Sequence, residues 1–265
     1  MTTYDAIIPA GGTIDAEFAA KVGTDSKALI EIAGKTVLER TLEALKDSGV
    51  VNRTVVIGGE KVRNSPGGKL ATMTIEEGSS GPENIFRGLD ALCKGDSPPT
   101  KVLIVTSDLP FLTPELINQF VESCPKDKDF CVPLVNQKAF NARFPGTDAT
   151  FVALKDDVWT TGCIYVVDVE GLKKARPSIE QVFERRKSKF GMARLLGAGF
   201  VLKWLRKQLT LADVEKKIES LLKCSGKAVV NSAPEFTFDI DYLEDYEYAV
   251  ESVKSGREQA VSASN

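Results

Sequence analysis

The chain has 265 residues, 43% of them hydrophobic and 27% charged, with a formal net charge of −3 and no histidine. That length and balance suit one large soluble domain, and no run approaches the ~18 apolar residues that a membrane span requires. Without histidine, Ser-His-Asp and Cys-His nucleophiles are excluded, as is the commonest metal ligand, so chemistry must run on carboxylates, amines, hydroxyls and a hard, oxygen-preferring cation.

In chain order, Tyr4 to Pro9 reads as a buried strand and Val37 to Ser48 as a helix with Leu38, Leu42 and Leu45 on one stripe. Gly49 stands where that helix would stop. Arg53 to Ile57 predicts a second strand, Met73 to Ile75 a short third, Glu83 to Lys94 a helix and Lys101 to Thr106 a fourth strand. A helix follows from Thr113-Pro114, where threonine can cap and proline suits the first turn. Phe130 to Leu134 is a further strand. Alternation of this kind implies an α/β fold, a mainly parallel sheet with helices on both faces. Beyond residue 150 the pattern changes. Thr150 to Leu154 and Gly162 to Asp168 predict an antiparallel excursion, and Ser178 to Cys224 is largely helical. Phe236 to Ile240 is expected to return as a strand, with Asp245 to Val253 as a closing helix. The resulting organisation is one domain over 1–252, with a helical insertion at about 172–227 before the last strand, and a flexible tail over 253–265.

Five cysteines (Cys93, Cys124, Cys131, Cys163, Cys224) are scattered without a CxxC spacing. Together with an N-terminus that lacks a secretory pattern, they point to reduced thiols in the cytoplasm rather than a disulfide framework or a zinc site.

Several residues could carry chemistry. The first strand ends in Ala10-Gly11-Gly12-Thr13, where the backbone can turn sharply and aim amide N–H groups at a phosphate. The dinucleotide fingerprint is absent, and Gly34-Lys35-Thr36 lacks the first glycine of a P-loop, because Leu29 stands in its place. Lys27 lies close enough in sequence to swing over bound phosphates and stabilise the charge of nucleotidyl transfer. Asp108 directly follows the buried run Val102 to Val105, at the strand end where open parallel sheets bind ligands, and it suits magnesium. A second carboxylate comes from Asp239 or Asp241, which a period of two places on one face. The loop Glu77 to Asn84 offers small residues (Gly81 among them), with Ser80 or Asn84 placed to bond a base edge; it serves equally as a helix entry.

Ile7 to Gly12 and Lys27 to Leu38 resemble the nucleotidyltransferase superfamily with the glycosyltransferase-A-like fold, most closely its branch containing molybdenum cofactor guanylyltransferase. Thr106 to Thr113 is similar to that family's metal-binding turn, and Asp239 to Asp245 to its closing motif, in which the second spaced acid, here Asp241, reaches the metal. Thr161 to Asp168 resembles the strand bordering the acceptor site in sugar-phosphate relatives, which marks Thr161 and Gly162. The resemblance implies Mg2+-dependent transfer of a nucleoside monophosphate from an NTP onto a phosphorylated small-molecule acceptor, with release of pyrophosphate and no role for nucleic acid. On this reading Lys27 and Asp108 are catalytic, Ala10, Gly11, Gly12, Lys27, Ser80, Gly81 and Asn84 bind nucleotide, Thr161 and Gly162 bind acceptor, and Asp108 and Asp241 hold the ion. Thr13-Ile14-Asp15 departs from the arginine usual after the glycines, with Lys21 a substitute, and Ser26 precedes Lys27 where proline is usual. Rival readings are a glycosyltransferase using a nucleotide-sugar and a silent nucleotide-binding protein.

Leu172 to Lys227 carries 15 Lys+Arg against 5 Asp+Glu. Within it, residues 188–210 interleave apolar and basic residues around Trp204. Packing onto the sheet or dimerisation is the favoured expectation for this stripe, and peripheral membrane contact the sharper but less favoured one.

Overall fold

Tyr4–Pro9 forms a buried central strand, β1, whose alternate residues enter two different cores. Ala6 and Ile8 face one side and Ile7 the other, as the two-residue strand period requires. The computed structural model describes residues 3–94, 97–186 and 188–256. After β1 come α1 (Ala16–Val22), the hairpin β2 (Glu31–Ile32) and β3 (Lys35–Thr36), and α2 (Val37–Asp47). Next are β4 (Val51–Gly58), α3 (Glu60–Asn64), α4 (Pro66–Leu70), β5 (Met73–Glu76) and α5 (Gly81–Cys93). The middle of the chain supplies β6 (Lys101–Val105), α6 (Pro114–Ser123), β7 (Phe130–Asn136) and α7 (Gln137–Arg143). Then follow β8 (Val152–Ala153), β9 (Val158–Thr161), β10 (Ile164–Asp168) and α8 (Val169–Arg185). The last elements are α9 (Lys189–Leu196), α10 (Ala198–Leu205), α11 (Leu211–Leu222), β11 (Gly226–Val230) and α12 (Leu243–Lys254).

The main sheet runs β5-β4-β1-β6-β10-β7-β9-β8. Its first half is parallel, and β10 enters antiparallel between β6 and β7. On one face α2 lays Leu38, Leu42 and Leu45 against Ile8, Val56 and Leu103. On the other, α5 places Phe86, Leu89 and Leu92 against Ile7, Val55 and Ile104, each such burial contributing about 2 kcal/mol. Helix α2 starts where it does because Thr36 accepts from the Glu39 amide while Glu39 accepts from the Thr36 amide. A reciprocal cap of this kind is worth about 1 kcal/mol.

Strands β9 and β10 pair with successive halves of the same edge of β7, bent apart at Gly162-Cys163. At the bend Gly162 donates to Pro133 O, Cys163 donates to Phe236 O, and the Thr106 amide donates to Cys163 O. The kink therefore fastens the chain end after β6 to the segment that follows residue 236.

Three sequence expectations change. Phe236 to Ile240 is not a strand: Pro234 to Phe236 make one 3-10 turn, and the last strand is Gly226–Val230, parallel to β7 on its outer edge. The alternation that suggests a strand at Phe238 to Asp241 is real but reports burial, because Phe238 and Ile240 enter a third, aromatic-rich core while the aspartates face outward. That stretch crosses the strand ends, where Ile240 N to Asp108 O is its one backbone link to a neighbouring segment among the described residues. The strand expected at Thr150 to Leu154 shrinks to two residues, and the one expected from Gly162 begins at Ile164 after the bend. Helix α12 extends through Lys254; of the tail expected to be flexible, residues 257–265 lie outside the described residues. Among the described residues no helix is long and apolar enough to cross a membrane.

A Cβ at Gly162 would sit 2.7 Å from Pro133 Cγ and 2.8 Å from Phe236 O, distances that force a shift. Gly162→Ala is expected to lower stability by about 1–3 kcal/mol in urea titrations and to loosen the 236–241 segment.

Candidate active site

The glycine loop and Lys27 are held together by backbone. Lys27 N donates to Gly12 O (3.0 Å), Ile14 N donates to Asp25 O (3.1 Å), and Thr13 bridges Ser26 antiparallel. The residues between them fold into α1, capped by Asp15, so the long excursion closes on itself and delivers Lys27 back over the loop. Gly12 lets Lys27 lie close over the loop: a Cβ there would sit 3.2 Å from Lys27 Cδ, so the lysine side chain would have to move slightly aside. Gly11 and Gly12 are exposed, while Ala10 is fully buried and donates to Ile57 O. Lys21, weighed as a substitute for the missing arginine, sits exposed in the last turn of α1.

The Lys27 ammonium reaches into a group of carboxylates. It pairs closely with Asp241 Oδ1 and lies 3.7 Å from Asp108 Oδ2. Asp108, Asp239 and Asp241 each offer an oxygen within 4.8 Å of the others. They come from positions more than a hundred residues apart, joined by the Ile240 N to Asp108 O bond. Asp108 and Asp241, paired on sequence grounds, are thus brought together, and Asp239 joins them. The resemblance singled out only the second of the two spaced acids, although the two-residue period already put both on one face.

Electrostatics follow from this crowding. Burial works against the Lys27 ammonium, but the bond to Asp241 and the charges of Asp108, Asp241 and Asp239 outweigh it and hold its pKa above the ordinary lysine value. Burial, then the charges of Asp108 and Asp241, push the Asp239 carboxyl up to about 7. Burial also raises the neighbouring Cys163 thiol, which leaves it a poor nucleophile. Asp108 Oδ1 is buried without a hydrogen-bond partner. Three carboxylates facing one ammonium, with a buried oxygen unsatisfied, form a donor set suited to a hard divalent cation.

The loop leading into α5 stands next to Gly11. Ser80 caps α5 by accepting from the Glu83 amide, Gly81 begins that helix, and Asn84 is buried with its Oδ1 accepting from Gly78 N (2.6 Å). Asn84 Nδ2 lies 3.5 Å from where a Gly11 Cβ would be. Glu77 approaches more closely still, its Oε2 2.0 Å from that position. Sequence reasoning placed Glu77 in this loop without a role, since nothing in its spacing marks it as the residue that approaches Gly11. Hydrogen bonds from Ser79 and then Arg87 pull Glu83 down to about 2, so it acts as a fixed anion organising the loop.

On the other side of the carboxylates lies a cleft of about 930 Å³, bordered by Thr161, Trp159, Tyr242, Leu211 and Asp241. No lysine or arginine lines it among the described residues. Thr161 is exposed to this cleft, whereas Gly162 is buried against Pro133 and Phe236 and shapes the bend beneath.

With this arrangement of loop, cation and carboxylates, comparison with known proteins is decisive. A model of the MobA-like NTP transferase domain matches residues 6–223. The chain belongs to that family. Its reaction class is therefore nucleotidyl transfer. A hypothetical transferase from Thermus thermophilus is similar at 31% identity, with a TM-score of 0.80 over 92% of this chain and 99% of that one. A 4-diphosphocytidyl-2C-methyl-D-erythritol synthase from Anaerococcus prevotii has a TM-score of 0.58 at 16% identity, covering 96% of both chains. A nucleotidyl transferase from Methanothermobacter thermautotrophicus has 0.55 at 14%, covering 97% of this chain and 100% of its own. The latter two share the fold. No curated protein matches the chain.

A carboxyl better protonated in the fold than in the unfolded chain gives stability that is full below its unfolded value of 3.8 and is lost as pH rises through about 7. In metal-free protein, unfolding free energy is accordingly expected to fall over that interval. Asp239→Asn should flatten the decline and Lys27→Ala should steepen it, as read by urea titration across pH.

Proposed function

We propose that this chain moves a nucleoside monophosphate from an NTP onto a phosphorylated small-molecule acceptor and releases pyrophosphate, using Mg2+ held by Asp108 and Asp241 with Asp239 beside them. The observation that carries this reading is the three-carboxylate cluster with its unsatisfied Asp108 oxygen, set directly against Lys27 and the glycine loop. The ion, when bound, would neutralise phosphate charge and hold the triphosphate and acceptor in line.

The chain's own groups supply the rest. Gly11 and Gly12 offer backbone N–H donors to the phosphates, with Ala10 anchoring the turn from beneath. Lys27, set beside the glycine loop, would face the triphosphate and stabilise the charge that develops as the bond from the α-phosphorus to its bridging oxygen breaks, while Asp108, Asp239 and Asp241 would hold a divalent cation. Ser80, Gly81 and Asn84 border the base. The acceptor occupies the cleft beside Thr161, with Gly162 fixing the bend below it. Because no lysine or arginine among the described residues lines that cleft, the acceptor's phosphate would depend on Lys27 and the metal for neutralisation. The attacking group is a phosphate oxygen, already anionic near neutral pH, so no general base is required. That suits a chain without histidine.

The test is incubation of the purified protein with each NTP, a panel of phosphorylated acceptors, and Mg2+ or chelator, with pyrophosphate and nucleoside diphosphate both measured. Pyrophosphate release that requires Mg2+ is expected. Asp108→Asn and Asp241→Asn should each lower kcat by about 100-fold or more, and Lys27→Ala by about 10- to 100-fold. Nucleoside diphosphate released from a nucleotide-sugar, or saturable NTP binding without turnover, would overturn the proposal.

A further inference from the structure

Helices α9 and α10 contain no buried side chain. In α10 the apolar stripe points outward: Ala198, Leu202 and Leu205, spaced i, i+4 and i+7, share one face and are all exposed. Leu205 is 66% exposed, Trp204 55%, and Phe190 on α9 80%. Of the stripe at 188–210, expected to pack on the sheet or to dimerise, Met192, Leu195, Leu196, Phe200 and Val201 are half-buried, while Phe190, Leu202, Trp204 and Leu205 are left exposed by the described residues. Around it, residues 188–207 carry five Lys+Arg and no Asp or Glu. Lys203 is paired with Asp213 of α11. Lys189, Arg194, Arg206 and Lys207 make no ion pair among the described residues, and Arg185 and Arg186 stand just upstream.

A second copy of the chain fits this surface poorly. A symmetric contact would set two basic, acid-free faces against each other, which costs free energy that the short stripe must overcome. Nucleic acid would meet the bases but leave the aliphatic stripe in water, since base stacking uses aromatic planes rather than leucines. An anionic bilayer meets both features. Leu202 and Leu205, with Phe190 of α9, enter the boundary between head groups and acyl chains, exposed Trp204 sits at the flank of that face, and the basic rim meets lipid phosphates. The whole chain is net acidic, so the same membrane would repel the remainder and orient the molecule with this face down. We propose that α9 and α10 form a peripheral docking surface for anionic lipid membranes.

The face is close in sequence to the site. Leu209 and Thr210 lead from α10 into α11, where Leu211 N donates to Asp156 and Leu211 and Val214 border the cleft. Docking would thus place the cleft near the lipid surface. Lipid binding is read without turnover, so its success or failure stands apart from that of the transferase assay.

The experiment sediments the full chain with phosphatidylcholine vesicles, with and without phosphatidylglycerol, at low and high salt. The chain has two tryptophans, so Trp159→Phe leaves Trp204 as the sole reporter. Expected are binding to phosphatidylglycerol vesicles that salt weakens, a blue shift of Trp204 emission, and quenching by lipids brominated on their acyl chains. Leu202→Ser with Leu205→Ser, and separately Arg206→Glu with Lys207→Glu, should each weaken binding about tenfold or more with unchanged circular dichroism. Absence of binding at low salt, equal binding to uncharged vesicles, or full binding by both variants would overturn the proposal. So would a wild-type dimer without lipid affinity that the leucine variant splits into monomers.

Discussion

Everything in the candidate site depends on bringing like charges together at the carboxyl end of β6. Asp108 is there by strand position, but Asp239 and Asp241 arrive on a stretch with no sheet ladder to hold it. What fixes them is apolar. Phe238 and Ile240 are buried in a cluster with Phe111, Phe140 and Phe144, so the aspartates between them are forced outward toward Asp108. Several kcal/mol of aromatic and aliphatic burial can hold a carboxylate repulsion of smaller size in place. The bend at Gly162-Cys163, bonded on one side to Thr106 and on the other to Phe236, is the second clamp.

That constraint gives the loop chemistry its meaning. A glycine pair after a strand is an ordinary turn until a cation reaches across it. Here the antiparallel bridge between Thr13 and Ser26 and the Lys27 N to Gly12 O bond tie the glycines and Lys27 together, facing the acids. Asn84 and Glu77 close the opposite flank. The glycine loop, the charge centre and the cleft beside Thr161 thus lie in sequence across the strand ends, an arrangement that suits catalysis by positioning.

How far this was legible in the sequence varies by residue, for physical reasons. Buried parallel strands such as Val102 to Val105 read clearly because both faces are apolar, and Asp108 was conspicuous because it ends such a run. Helix α2 announced itself by stripe and cap. The segment at 236–241 misled because alternation of burial looks the same whether or not a backbone neighbour is present; the inference that its aspartates share a side nonetheless held. Glu77 was illegible, since its importance comes from a contact with a residue 66 positions earlier. The α10 stripe was seen, but a helical period says only that one face is apolar. Whether that face meets the core or the solvent is decided by neighbours that no local pattern records.

The Lys27 ammonium lodged among the carboxylates has a bearing on how such a protein is assembled. An internal cation that partly balances the acids lets the fold form before any metal arrives. On the proposed reading, loading an ion would be an exchange at a finished surface rather than a step in folding, so that scarcity of the metal would silence the molecule without dismantling it.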